Sequence, residues 1–241
     1  MGVNRGGKIV TNDLVFCLDF GSKRCYRSGT TANDLAGSND GTLTNGPVFY
    51  DDSGVGYLLF DGVDDYVNLG KPTYNRGDFS VEVWYNIWSH FSGYRGTIFS
   101  CWQTGAGFNN EWGLTYGRGV TGPSQGGFTL HVDTTGGNVN GKGIYRADGI
   151  TPSLDTWYHQ VGTFDGTTGK CYVNGDLTGS VTGFSNNTVR TSTENIVLNS
   201  FYTSSTNYSG KSRIAICRMY NKALSAEEIK QNYNSTRGRF E

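Results

Sequence analysis

Apolar and polar residues alternate most regularly in the stretch FSVEVWYNIW, residues 79–88, where Phe79, Val81, Val83 and Tyr85 stand against Ser80, Glu82, Trp84 and Asn86. A period of two sends successive side chains to opposite faces, so a central β-strand with one strongly apolar face is expected. The second clear signal lies in residues 157–176. Two runs rich in aromatic and β-branched residues, 157–164 and 171–173, flank Asp165-Gly166-Thr167-Thr168-Gly169, which has the composition of a tight reversal. Asn174-Gly175 follows at once, the dipeptide that best tolerates positive φ at both turn positions, so a second hairpin is expected to begin there. One segment thus predicts three antiparallel strands in a meander.

The same reading places an early strand in the run from Leu14 to Phe20, closed by Gly21, and treats residues 21–47 as loop-like, anchored by Leu35 and Leu43. Around Asp61-Gly62, the runs 57–60 and 66–69 predict another hairpin. Further strands are expected at 97–102, 111–116, 127–132, 195–198 and 214–220, each bounded by Gly, Asn or Ser. Their spacing is that of a β-sandwich or barrel. A single helix is signalled. Ser225 and Glu228 have the capping-box spacing, and Leu224 with Ile229 occupy the two positions of a hydrophobic staple, so a helix should run from about Ala226 toward Tyr233, with 237–241 fraying.

Composition narrows the class. A chain of 241 residues suits one all-β domain, and 36 glycines with 14% aromatic and only 17% charged residues suit many short strands joined by glycine turns. The formal charge of −1 arises from 20 basic and 21 acidic residues without a long run of either sign, which excludes an electrostatic track for nucleic acid. No window approaches the ~20 apolar residues of a membrane span, and MGVNRGGKIV lacks the apolar core of a signal peptide, so no membrane is expected as partner and synthesis in the cytoplasm is. Five cysteines, an odd number with no C-x-x-C spacing, are expected as free and largely buried thiols.

Four segments in this order, LFDGVDDYVNL (59–69), FSVEVW (79–84), WYHQVGTFDGTTGKCYVNG (157–175) and IAICRMYNKALSAEEI (214–229), resemble the laminin-G-like and pentraxin-like branch of the concanavalin A-like jelly rolls. Residues 6–49 are in addition similar to the lead-in of such modules in bacteriophage virion proteins. The resemblance implies an all-β fold, two stacked antiparallel sheets of six or seven strands each with one short C-terminal helix, in a single jelly-roll domain over 1–241. It also implies binding of glycans, lipids or proteins, often with calcium, and rarely catalysis. In pentraxins a loop Asp-Asn pair holds part of the calcium; here Asn109, Asn110 and Glu111 fall near that position, with Asn where the leading acid belongs. The later loop, FYTSSTNYSGKS, has no carboxylate. Calcium takes six to eight oxygens, usually with charged ones among them, so these departures argue against a structural calcium and no cofactor is expected.

Three glycine patterns lack the context their chemistry needs. Residues 136–142 begin like a phosphate loop, but Gly143 stands at the position of the magnesium-binding hydroxyl. Gly117, Gly119 and Gly122 precede no helix signal, and Ser124 in G-x-S-x-G lacks the strand before and helix after that make a nucleophile elbow. Asp51-Asp52, Asp64-Asp65 and Glu227-Glu228 are adjacent pairs suited to turns and capping rather than to glycoside hydrolysis, and His159 is expected to make a structural hydrogen bond. The remaining candidates are loop aromatics, Trp102, Phe108, Trp112, Tyr202 and Tyr208, which could stack on sugar faces or fill a subunit interface. The expected function is therefore a non-enzymatic virion surface protein of a bacteriophage, a capsid decoration or fibre component. It would dock on a capsid or fibre subunit and self-associate, with the lead-in to about Pro47 and the aromatic loops as candidate surfaces. The alternatives are a glycan-binding lectin-like module and, last, a glycan-active hydrolase or lyase.

Overall fold

A computed structural model describes residues 7–52, 54–90, 95–102, 111–117, 127–134, 142–145, 152–184, 188–201 and 209–241. In chain order the strands are β1 (Leu14–Asp19), β2 (Thr31–Ala32), β3 (Gly41–Thr44), β4 (Val48–Asp52), β5 (Val55–Leu59), β6 (Tyr66–Asn68), β7 (Phe79–Ile87) and β8 (Arg95–Cys101). The second half adds β9 (Trp112–Gly117), β10 (Gly127–Val132), β11 (Lys142–Tyr145), β12 (Trp157–Phe164), β13 (Thr168–Val173), β14 (Asp176–Thr182), β15 (Val197–Leu198) and β16 (Ser212–Tyr220), followed by helix α1 (Ala226–Thr236). One sheet runs β14-β13-β12-β7-β16-β5-β4, with β1 also paired to β16; the other runs β11-β10-β9-β8-β15-β6-β3-β2. Each has eight strands rather than six or seven. One apolar cluster draws on both, with Phe16, Val83 and Tyr85 from the first sheet meeting Phe99, Trp112 and Leu130 from the second.

The alternating stretch is β7, central between β12 and β16 and buried along its whole length. The meander forms as its turn residues dictate: Asn174 (φ 53°) and Gly175 (φ 81°) both take the left-handed conformation between β13 and β14. At the C-terminal end the Ser225 hydroxyl and the Glu228 side chain cap each other's backbone N–H groups, and Leu224 and Ile229 share one buried cluster.

Three expectations are corrected. The runs around Asp61-Gly62 are not a hairpin, because β5 belongs to the first sheet and β6 to the second. The Asp61 carboxylate accepts the Val63 amide at 2.7 Å and Asp65 accepts the Asp61 amide at 3.0 Å, a turn that carries the chain across the sandwich. Period-two patterning looks alike in both cases, since Leu58, Phe60 and Val67 reach the same core from opposite sides. Residues 21–47 are not only loop: β2 and β3 extend the second sheet, and Cys25, Tyr26, Ala32 and Leu43 join the core. Finally, residues 237–241 do not fray. After a 3-10 turn (Arg237–Arg239), the Phe240 ring stacks on Trp84 at 4.1 Å and 16°, and Arg239 grips both oxygens of Asp19 at 2.8 and 2.9 Å.

Candidate functional site

The loop aromatics fare unevenly. Trp112 is fully buried, 5.0 Å from Phe99 and 6.1 Å from Phe79, and its indole N–H donates to the Tyr74 hydroxyl at 3.1 Å, so it is a core residue and not a ligand platform. Glu111 is likewise removed as a calcium ligand. Its carboxylate accepts the Ser192 amide at 2.7 Å, the Ser192 hydroxyl at 3.0 Å and the Tyr74 hydroxyl, with Lys71 at 3.2 Å and Arg76 at 3.4 Å. Burial pushes that carboxyl up, but these donors and cations outweigh it and hold it below the ordinary value. Trp102 is half-buried, edge-on to His131 (5.7 Å) and Phe201 (5.1 Å). Phe108, Asn109, Asn110, Tyr202 and Tyr208 lie outside the described residues. So, largely, do the three glycine patterns; the elements that follow them, β10 and β11, are strands.

The five cysteines are buried and free, and burial pushes the thiols of Cys25 and Cys101 up to about 12. The carboxylates of Asp61, Asp64 and Asp65 lie within 4.8 Å of one another. Hydrogen bonds of the crossing turn account for two of them.

A coherent site is instead found on the outer face of the first sheet. Alternation turns Glu82, Trp84 and Asn86 of β7 away from the core, where they meet Trp157 and His159 of β12 across the register pairs Trp157↔Asn86 and His159↔Trp84. Under α1 this face is closed by charge. Glu82, fully buried, pairs with Arg218, lies 3.0 Å from His159 Nε2 and accepts from Asn232 Nδ2 at 2.7 Å.

Beyond the helix the face is open and aromatic. Trp84, Trp157, Tyr233 and Phe240, with Asp155, Thr156, Asn174 and Glu241, line a pocket of about 300 Å³. Trp157 and Phe240 lie 5.0 Å apart, and Tyr233 stacks on Trp84 at 5.7 Å and 12°. The polar rim is held in place. Asp155, at positive φ (55°), donates its amide to the Ile87 carbonyl, and its carboxylate receives Arg213 Nη1 at 2.7 Å, which also donates to Asn86 at 2.6 Å. Asn174 sits at its turn because its side-chain oxygen accepts the His159 amide at 3.0 Å while its own amide donates to the His159 carbonyl at 2.8 Å. Glu241 accepts from the Tyr233 hydroxyl at 3.2 Å. Ring faces beside fixed oxygen acceptors suit a ligand that carries both C–H surface and hydroxyl groups. The sequence marks none of these residues as a site, because they come from four separate segments and the local signals at Trp84, Trp157, Asn174 and Tyr233 concern folding.

The architecture is that of a lectin-like β-sandwich. Residues 61–230 match the family model described as Concanavalin A-like lectin/glucanases superfamily, and the chain belongs to that superfamily. No curated protein sequence matches it. Among solved structures, domain 4 of AbnA, an extracellular GH43 arabinanase of Geobacillus stearothermophilus in complex with arabinotriose, is 16% identical at a TM-score of 0.67, over 92% of this chain and 98% of that one. Trypanosoma rangeli sialidase in complex with sialic acid is similar at a TM-score of 0.64 and 16% identity, covering 94% of this chain, which spans 33% of the sialidase. The receptor binding domain of botulinum neurotoxin type G gives 0.64 and 16%, over 92% of this chain and 51% of that domain. At these identities the likeness is one of fold. Among the described residues, no helix is long and apolar enough to cross a membrane.

Proposed function

We propose that the protein is a non-catalytic carbohydrate-binding module whose site is the pocket of Trp157, Phe240 and Tyr233, rimmed by Asp155, Asn174 and Glu241. The pocket carries the reading: aromatic faces pack against the C–H face of a sugar ring while carboxylate and amide oxygens accept its hydroxyls. The arabinotriose and sialic acid complexes of structural neighbours support the same class of ligand. A glycosidase reading fits the pocket less well. Its two carboxylates are 67% and 54% exposed and each is paired with an arginine, unlike the apolar, cation-free setting that keeps a general acid protonated. On a glycan array the native protein is expected to give hits that Trp157→Ala removes while the circular dichroism spectrum is unchanged. An array without hits refutes the proposal.

We place this module on a bacteriophage particle, on the similarity of residues 6–49 to virion lead-ins, with a capsid or fibre subunit as partner and self-association as the means of display. The lead-in's strands β1, β2 and β3 are built into the sheets, so docking there falls to its exposed turns rather than to a free arm. Purified particles that lack the chain by mass spectrometry would dismiss this setting.

A further inference from the structure

We infer that the ligand of this face is a chain of sugars, seated by one unit in the Trp157–Phe240 pocket and laid outward across Tyr57 and Tyr50. The inference rests on the carbohydrate-binding reading and deepens it. The aromatic surface does not end at the pocket wall. Tyr57 meets Trp157 at 5.8 Å, and Tyr50 stacks on Tyr57 at 5.5 Å and 18°. Tyr50 and Tyr57 are direct cross-strand partners on β4 and β5, so the row runs across the first sheet from β12 to its edge. Steps of this size match the repeat of rings in an extended oligosaccharide.

Core packing does not account for the outer end of the row. Tyr50 is 44% exposed, and Val48, on the same face of β4, is 50% exposed. Rings that stack on each other at a sheet edge while facing solvent form a platform. Polar partners are unequally distributed along it. Asp155, Asn174 and Glu241 cluster at the pocket, so the unit seated there is oriented by hydrogen bonds, whereas units over Tyr57 and Tyr50 meet the apolar surface of the stacked rings. Cations surround this pocket: Arg213 and Arg237 pair with Asp155 and Glu241, Lys230 and Arg237 lie over the Tyr233 ring, and Arg239 lies over Phe240.

The test is isothermal titration of the full chain with linear cello-, xylo-, arabino- and N-acetylchito-oligosaccharides of two and six units. In the series that binds, the six-unit ligand should bind roughly tenfold more tightly than the two-unit one. Tyr50→Ala, at the exposed outer end of the row and beyond the reach of two units, should remove most of that gain, while Tyr57→Ala, beside Trp157, should weaken ligands of both lengths. Equal affinity at both lengths, or a gain that survives these substitutions, overturns the extended platform while leaving the carbohydrate-binding reading intact. Silence in every series, with a Tyr50-dependent dimer in sedimentation, overturns both and assigns the strip to a second copy of this chain.

Discussion

Arg218→Met is expected to destabilise the protein by about 3–5 kcal/mol, because it strands a buried charge. Glu82 and Arg218 are 0% and 2% exposed, and neighbours engage both Glu82 oxygens: His159 lies on one, Asn232 donates to the other, and Asn232 also joins the Tyr220 hydroxyl and the Val10 amide, while Arg218 Nε has no hydrogen-bond partner among the described residues. Removing the guanidinium leaves Glu82 without its counter-charge beneath α1. Replacing both partners, Glu82→Leu with Arg218→Met, should cost less than the sum of the single changes, and urea denaturation of the four proteins measures the coupling. Acid should act on the same pair. Burial pushes the Glu82 carboxyl up, but the Arg218 charge and the His159 and Asn232 hydrogen bonds outweigh it and hold it at about 2. A folded value below the unfolded one, about 4.3, means the contribution is complete above roughly pH 5 and is lost as pH falls toward 2. Glu111, also lowered, adds to this slope; Asp65 and Asp133, raised by burial, oppose it. The acid sensitivity should therefore be smaller in the Glu82→Leu/Arg218→Met protein than in the native one.

This buried pair also shows where reading the sequence stops. Glu82 appeared only as a polar member of an alternating strand, and on a one-sided sheet it would face water. What buries it is α1, whose caps were legible but whose docking on β7 was not. Local chemistry made β7 and the meander readable, since alternation and Asn174-Gly175 act within a few residues. The partner sheet of a strand is not local, which is why the runs of β5 and β6 read as a hairpin. The site is less local still: Tyr50, Tyr57, Asp155, Trp157 and Phe240 are ordinary aromatics and turn residues until the sheet order brings β4, β5 and β12 to one face. Phe240 sits in a polar terminal segment and is explained only by the outward ring of Trp84.

Trp112→Ala is expected to destabilise the protein by about 3–5 kcal/mol and to leave the affinity of the folded fraction for its ligand unchanged. Its neighbours in sequence, Asn109, Asn110 and Glu111, gave it the look of a loop aromatic, yet β9 is flanked by β8 and β10 and its indole packs between Phe79 and Phe99. Truncation opens a cavity there and removes a donor from the Tyr74 hydroxyl, which itself donates to the buried Glu111 carboxylate. The cost thus combines lost packing with a loosened buried network, and the remaining Lys71, Arg76 and Ser192 contacts keep Glu111 paired. Trp157→Ala should behave differently, since that ring is only partly buried and packs on Phe240 and Tyr57 at the outer face: a smaller loss of stability than Trp112→Ala and loss of glycan binding. Chemical denaturation and titration on the two variants separate the tryptophan that builds the core from the one that meets the ligand. If Trp112→Ala keeps its stability and loses binding, the site belongs to the second sheet after all.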